Sequence, residues 1–261
     1  MSRVDIGKDI SSFDSELSEL SGMDRIMVQL FIDKYNLGSD EMSFTLDDVR
    51  AVASEKSISL RNPADFIYQY RARRALPEQI LKLGNWILTG VGKGKYLLKK
   101  IDYSPHFEYE IPDDIVVIKN TTPERVKPFL RNDEMSSLTK LRYCETISHF
   151  TSLTCSEIQT HYRSFVKGVG QVEIDEFYVG ESEKGRWLIP LEAKSNVDTD
   201  RLGRVQISQM VSAMKQDFPN EKRRILALKD IGNDEYLIFE LTNSTDPSQI
   251  EIEKIVRYKI E

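Results

Sequence analysis

Residues 189–195, IPLEAKS, place a carboxylate and an ammonium two positions apart at the end of an apolar run. On a β-strand, residues i and i+2 share a face, so Glu192 and Lys194 stand side by side near a strand end. Upstream, GQVEIDEFYVG carries Asp175 on a second β-prone stretch. There Gln171, Glu173 and Asp175 are expected to point one way, and Val172, Ile174 and Glu176 the other. If the two stretches pair as an antiparallel hairpin, Asp175 and Glu192 converge with Lys194 alongside. Such a set suits magnesium-assisted phosphodiester hydrolysis. Carboxylate oxygens hold a hard cation that keeps several waters, the cation lowers the pKa of a bound water, and an ammonium stabilises charge on the phosphoryl group. As a bare pair, Glu192 and Lys194 could equally be a surface ion pair worth less than about 1 kcal/mol. The apolar run WLIPL before them and Asp175 in register favour a site.

These residues need a scaffold. The pattern from residue 115 onward reads as strand IVVIK, helix SSLTKLRYCETISHF, helix SEIQTHYRSFV, strands GQVEIDEFYVG and RWLIPLEAKS, helix RVQISQMVSAMKQDF, and strands RRILALKD, DEYLIFELT and IEIEKIVRYKI. That order predicts an α/β (α+β) domain with a mixed central β-sheet flanked by helices, spanning 103–261.

With strand ends and a following helix so placed, VEID, LEAK and GRVQISQM resemble the PD-(D/E)xK nuclease superfamily, and within it type II restriction endonucleases. The resemblance implies a restriction-endonuclease-like domain in which Asp175 and Glu192 bind Mg²⁺ and Lys194 assists the attacking water. It further implies a supporting glutamine from the next helix, matched by Gln206 with Gln209 as a weaker candidate, and an upstream helical glutamate. Glu157 is taken for that glutamate, in the first turn of the expected helix 156–166, with Glu145 as runner-up. Ile174 stands where the superfamily name has proline. Each supporting residue also has a plain reading: Gln206 and Gln209 as the exposed side of an amphipathic helix, Glu157 as an acid favoured by a helix dipole.

The first hundred residues differ in character. Residues 1–20 read as a tail, and 21–102 as a helical domain closed by a hairpin. MDRIMVQLFIDKYNLG is expected to bury Ile26, Leu30, Ile32 and Tyr35. Thr45 and Asp48 form a capping box for a second helix. Asn62 and Pro63 open a third that runs until Pro77. NWILTGVGKGKYLLKKI then reads as a hairpin with a basic glycine-rich tip. Three helices and a hairpin describe a winged helix, whose third helix enters the major groove of DNA. Tyr68, Gln69, Tyr70, Arg71, Arg73 and Arg74 on that helix, with Lys93 and Lys95 at the tip, are the expected DNA-binding residues; one of the two tyrosines is expected in the core instead. Charge supports this. The chain carries 36 basic and 42 acidic residues, net −6, yet residues 61–100 hold nine basic and two acidic residues. That block is +7 and the remainder −13, and local sign governs where phosphate is attracted.

No apolar run approaches the roughly 18 residues of a membrane span, and the polar N-terminus lacks a secretory pattern. Cys144 and Cys155 have neither framework nor CxxC spacing, which predicts a reduced, cytoplasmic protein. His106, His149 and His161 are too scattered for a zinc site. The expected function is a Mg²⁺-dependent endodeoxyribonuclease acting on double-stranded DNA as a homodimer, since cutting two strands at once needs two centres. A structure-specific repair nuclease of the same fold and a non-enzymatic DNA-binding regulator are the alternatives.

Overall fold

The computed structural model describes residues 17–131 and 133–261, apart from the side chains of 18, 72 and 73. Most of the expected tail, residues 1–16, therefore lies outside the described residues. The chain divides into two compact units, one holding residues up to His106 together with Lys167–Gly170, the other Phe107–Val166 and Gln171–Glu261.

The first unit contains helix α1 (Gly22–Lys34), strand β1 (Glu41–Thr45), α2 (Leu46–Glu55), α3 (Pro63–Tyr68), a π-helical turn (Gln69–Arg73), α4 (Glu78–Leu81), and strands β2 (Asn85–Gly92) and β3 (Lys95–Ile101). Helix α2 starts where its capping box predicts. Thr45 Oγ1 accepts from the Asp48 N–H at 3.2 Å, and Asp48 Oδ2 accepts from the Thr45 N–H at 2.8 Å. Asn62 Oδ1 accepts from the Ala64 N–H at 3.1 Å, with Pro63 supplying the pre-set φ of the first turn. Ile26 and Leu30 are fully buried, and Ile32 and Tyr35 pack partly buried against the same cluster. Strand β1 was not expected. Its buried Met42 and Phe44 alternate with outward residues, and it pairs antiparallel with β3, giving the sheet order β1-β3-β2.

The third helix does not run on to Pro77 as expected. It widens at Gln69, where the Arg74 N–H reaches back to the Gln69 carbonyl at 2.8 Å. The cause is tertiary. Tyr70 is buried and its hydroxyl donates to Asp24 Oδ1 at 2.7 Å, while Arg74 Nη2 donates to both Asp24 oxygens at 3.0 Å. Anchoring both side chains on one aspartate of α1 fixes the backbone between them.

The second unit is built on a seven-stranded mixed sheet, order β4-β10-β9-β8-β7-β6-β5. Its elements are β4 (Ile115–Ile118), α5 (Glu134–Tyr143), α6 (Thr146–Thr151), β5 (Thr154–Val166), β6 (Gly170–Ser182), β7 (Gly185–Lys194), α7 (Arg204–Asp217), β8 (Ile225–Gly232), β9 (Glu235–Leu241) and β10 (Ile252–Ile260). Period-two alternation sends Ile225 and Ala227 of β8 into the cluster beneath α7 and Leu226 and Leu228 into the one beneath α5 and α6. The sheet is thus covered on both faces.

Two expectations need correction. The single helix over 136–150 is two helices, broken at Glu145, which takes a left-handed φ of 51°. Residues 156–166 are not helical but form most of β5, an edge strand beside β6. Ile158, Thr160 and Tyr162 are β-branched or aromatic at alternate positions. The ring of Tyr162 packs on Phe177 and Phe218, which fixes this stretch against the sheet.

Candidate active site

Strands β6 and β7 pair antiparallel, with Glu176 opposite Leu191 as the last register pair. Just beyond it Asp175 Oδ2 accepts the Ala193 N–H at 2.8 Å, a side chain standing in for a backbone acceptor where the ladder stops. Regular alternation also ends here. Ile174 and Phe177, three residues apart, pack in the same cluster, which a regular strand cannot do, so β6 is irregular at Asp175 and Glu176.

On β7, Leu191 and Ala193 belong to the cluster under α5 and α6, which leaves Glu192 and Lys194 on the α7 face. Both are buried. Lys194 Nζ donates to Glu192 Oε1 at 2.8 Å, and Gln206 Nε2, one turn into α7, donates to the same oxygen. The structure therefore brings Asp175, Glu192, Lys194 and Gln206 together as expected. Gln206, not Gln209, reaches Glu192.

Glu157 is a different matter. It lies on β5, and its Oε2 forms an ion pair with Arg142 Nε at 2.6 Å. Arg142 in turn pairs with the fully buried Glu176, which also accepts from the Tyr178 hydroxyl. Glu145 is exposed at the break between α5 and α6. Neither takes the place of an upstream glutamate in this cluster.

The carboxylates that do join it are Glu134 and Asp200. Glu134 opens α5 behind Asp133, whose side chain caps the helix by accepting from the Ser136 N–H at 2.8 Å. Its carboxyl hydrogen-bonds Asp200. Asp200 sits in the loop between β7 and α7, with Oδ1 3.8 Å from Lys194 Nζ and Oδ2 accepting from both the N–H and the hydroxyl of Ser195 at 2.8 Å. That loop is held from β8. Lys229 Nζ donates to the carbonyls of Ser195 at 2.6 Å and of Val197 and Asp200 at 2.9 Å. A cavity of about 330 Å³ opens beside it, lined by Phe107, Tyr109, Asp198, Asp200, Arg201 and Lys229 among others. The first-turn acid behind an Asp cap was a readable signal for Glu134, had the helix start been placed at residue 134 rather than 136. Asp200 had no comparable signal.

Four carboxylates surround one ammonium, and the electrostatics follow. Burial and the charge of Asp175 push the Glu192 carboxyl up to about 8, against the pull of Lys194. Burial, then the hydrogen bond to Asp200 and the charges of Asp200 and Asp175, push Glu134 up to about 7. Burial alone would lower the Lys194 pKa; Glu192, Asp200 and Asp175 outweigh it and keep the ammonium charged. Among the described residues, no group of three or more histidine, cysteine, aspartate or glutamate side chains stands close enough to hold a metal ion as placed.

Of the expected DNA-binding residues, Tyr70 is the tyrosine that goes to the core, as expected of one of the two, and Arg74 is committed to Asp24, which corrects its expected role. Arg71 is largely buried and donates to the Val169 carbonyl at 3.2 Å. The Arg73 side chain lies outside the described residues. Tyr68 and Gln69 are half-buried, and Lys93 and Lys95 are exposed at the β2–β3 turn. No helix among the described residues is long and apolar enough to cross a membrane. The chain matches no family model, no curated protein and no solved structure.

Proposed function

We propose that this protein is a Mg²⁺-dependent endodeoxyribonuclease acting on double-stranded DNA, in the manner of a type II restriction enzyme of the PD-(D/E)xK superfamily. The observation that carries the reading is the convergence of Asp175, Glu192 and Lys194 from adjacent strand ends on one buried ammonium, with Gln206 donating to Glu192. Burying charge is costly, and strongly perturbed titratable groups gathered in one place are concentrated at functional sites.

The donor set fits a hard cation. Its ligands are oxygens, carboxylates outnumber the cations, and two carboxyls are pushed up toward neutral pH by burial and then by their acidic neighbours. Gln206 Oε1 is buried without a hydrogen-bond partner, an acceptor suited to a water that a cation retains. Asp175 and Glu192 would hold the ion, and Glu134 is the upstream glutamate best placed to support them. Bound there, Mg²⁺ supplies positive charge toward a phosphate oxygen and lowers the pKa of water. Lys194 orients the nucleophile and stabilises charge on phosphorus, and its own proton is retained because three carboxylates favour the ammonium. Asp200 fixes Lys194 from the loop side, and Gln206 fixes Glu192 from α7.

The first unit suits duplex binding. In support of a winged helix, the order is helix, strand, helix, helix, hairpin with sheet order β1-β3-β2, and the hairpin turn carries the exposed Lys93 and Lys95. A homodimer in the cytoplasm, with one centre per strand, completes the proposal.

Digestion of unmethylated plasmid and phage DNA with Mg²⁺, alongside Asp175→Ala and Lys194→Ala proteins, tests it. Discrete fragments from the wild type alone are expected. Cleavage of branched or damaged DNA without discrete plasmid fragments would move the protein to a repair nuclease. Tight binding without cleavage, indifferent to Mg²⁺ and to Lys194→Ala, would make it a regulator.

A further inference from the structure

The most exposed large apolar side chain among the described residues is Phe129, at 81%. It stands on a 3-10 turn (Lys127–Phe129) inside TTPERVKPFLR, residues 121–131, which carries three cations and one acid. Arg125 and Arg131 are exposed, and Lys127 pairs with Glu124 at 2.5 Å. The segment is held firmly. The Val126 N–H donates to the Pro123 carbonyl at 2.8 Å, the Phe129 N–H to Val126 at 3.0 Å, the Arg131 N–H to Ser136 Oγ at 2.7 Å, and the Thr121 hydroxyl to the Tyr143 carbonyl at 2.6 Å. Pro123 and Pro128 stiffen it further. An aromatic ring is thus displayed on a rigid base, so little ordering entropy opposes its use as a contact.

Its position is informative. Five residues after Phe129 the chain reaches Glu134 of the acidic cluster. Arg131 lines one small cavity together with Asn196, which belongs to the loop carrying Asp200.

We propose that residues 123–131 form a nucleic-acid contact in which Phe129 stacks on an unstacked DNA base beside the acidic cluster, while Arg125 and Arg131 take the flanking phosphates. The naming of DNA rests on the nuclease reading above. Aromatic rings stack on any base face, and cations of one sign around the ring match a phosphate backbone. A second copy of this chain fits worse, because a two-fold contact centred on Phe129 brings Arg125, Lys127 and Arg131 against their own copies.

The test measures binding and base unstacking separately from cleavage. Full-length protein is titrated in Ca²⁺ against a short duplex carrying 2-aminopurine opposite a mismatch, read by anisotropy and by 2-aminopurine fluorescence. Wild type is expected to raise the fluorescence. Phe129→Ala is expected to lose that rise and to bind about 5- to 100-fold more weakly, with an unchanged salt slope, and Phe129→Trp to restore both. An Arg125→Ala/Arg131→Ala protein is expected to keep the fluorescence rise at saturation while its salt slope falls by about one per lost phosphate contact. Wild-type affinity and fluorescence in Phe129→Ala overturn the proposal, as does absence of DNA binding by the wild type. Conversion of a dimer to a monomer by Phe129→Ala in sedimentation, with DNA binding intact, overturns it in favour of a second copy. The Mg²⁺ digestion is scored independently. A Phe129-dependent fluorescence rise without cleavage by any protein leaves the stack standing and removes the nuclease reading; cleavage with an indifferent Phe129 does the reverse.

Discussion

Lys229→Met is the perturbation whose size the structure defines best. The ammonium spends its three protons on the carbonyls of Ser195, Val197 and Asp200, at 2.6, 2.9 and 2.9 Å. A hydrogen bond to a charged group contributes about 1.5–3 kcal/mol net. Lys229 is only half-buried, and the freed carbonyls can take water, so about 1 kcal/mol each is the appropriate figure. One term opposes it. Lys229 lies directly across from Lys194 in the parallel β7–β8 register, and removing a like charge there returns less than about 1 kcal/mol. Methionine preserves most of the aliphatic stem, so packing changes little. The expected loss is about 2–3 kcal/mol, or about 4–12 °C in Tm for a unit of this size. The loss should be local as well as global. With its clamp gone, the loop 195–200 lets Asp200 drift from Lys194 and Glu134, so amide exchange across that loop accelerates and DNA cleavage falls. Urea denaturation and hydrogen exchange on the Mg²⁺-free protein check this. A stability change under about 0.5 kcal/mol with unaltered exchange at 195–200 would refute the clamp.

Two further substitutions separate neighbouring readings. Glu134→Gln is expected to slow Mg²⁺-dependent cleavage about 10- to 100-fold, whereas Glu157→Gln leaves it near wild type; equal loss in both, measured by single-turnover cleavage, would restore Glu157 to the site. In the first unit, the Lys34 ammonium 2.6 Å away and then Thr45 hold the Asp48 carboxyl below its ordinary range. A depressed carboxyl stabilises the fold above its unfolded value of about 4 and loses that contribution as pH falls through the folded value. Asp48→Asn should therefore cost about 1 kcal/mol at pH 7, and the gap to wild type should close progressively below about pH 4. A gap independent of pH in urea titrations would show that shape, not charge, makes the cap.

Much of this molecule is legible in its sequence, for identifiable reasons. Capping residues work locally, so Thr45, Asp48 and Asn62 announce their helix starts without help from the rest of the chain. Strands β6 to β10 are rich in β-branched and aromatic residues, and their pairing brings Asp175, Glu192 and Lys194 together as a hairpin requires. What escapes is decided by distant partners. Residues 156–166 have mixed helix and strand character, and only the packing of Tyr162 against Phe177 and Phe218 settles the matter. The turn at 69–73 reads as helix, until Asp24, far away in sequence, claims both Tyr70 and Arg74. Misplacing one helix start by two residues was enough to miss Glu134. Misreading β5 put Glu157 forward in its stead.

The sharpest case is the adjacent pair Asp175 and Glu176, two carboxylates that sequence alone cannot rank. Glu176 is fully buried, but Arg142 and the Tyr178 hydroxyl both meet it, and Arg142 is shared with Glu157. That arrangement supplies a donor to each Glu176 oxygen and ties α5 and β5 to β6. It is a cross-brace, and removing Arg142 would leave the buried Glu176 carboxylate without its cation. Asp175 stands where the β6–β7 ladder stops. Beside it are Glu192, Glu134 and Asp200, with the ammonium of Lys194 among them and that of Lys229 behind Asp200. Burial raises the Glu176 carboxyl as it does those of Glu192 and Glu134, but Tyr178 and Arg142 pull Glu176 back, whereas neighbouring carboxylates push Glu192 and Glu134 further up. A fold gains no stability from such repulsion, and a Gln at Glu192 or Glu134 would relieve it at little steric cost. A cation bound there would relieve the mutual repulsion of these carboxyls, so the proposed metal site falls on Asp175 and its neighbours, and Glu176 is left to the brace.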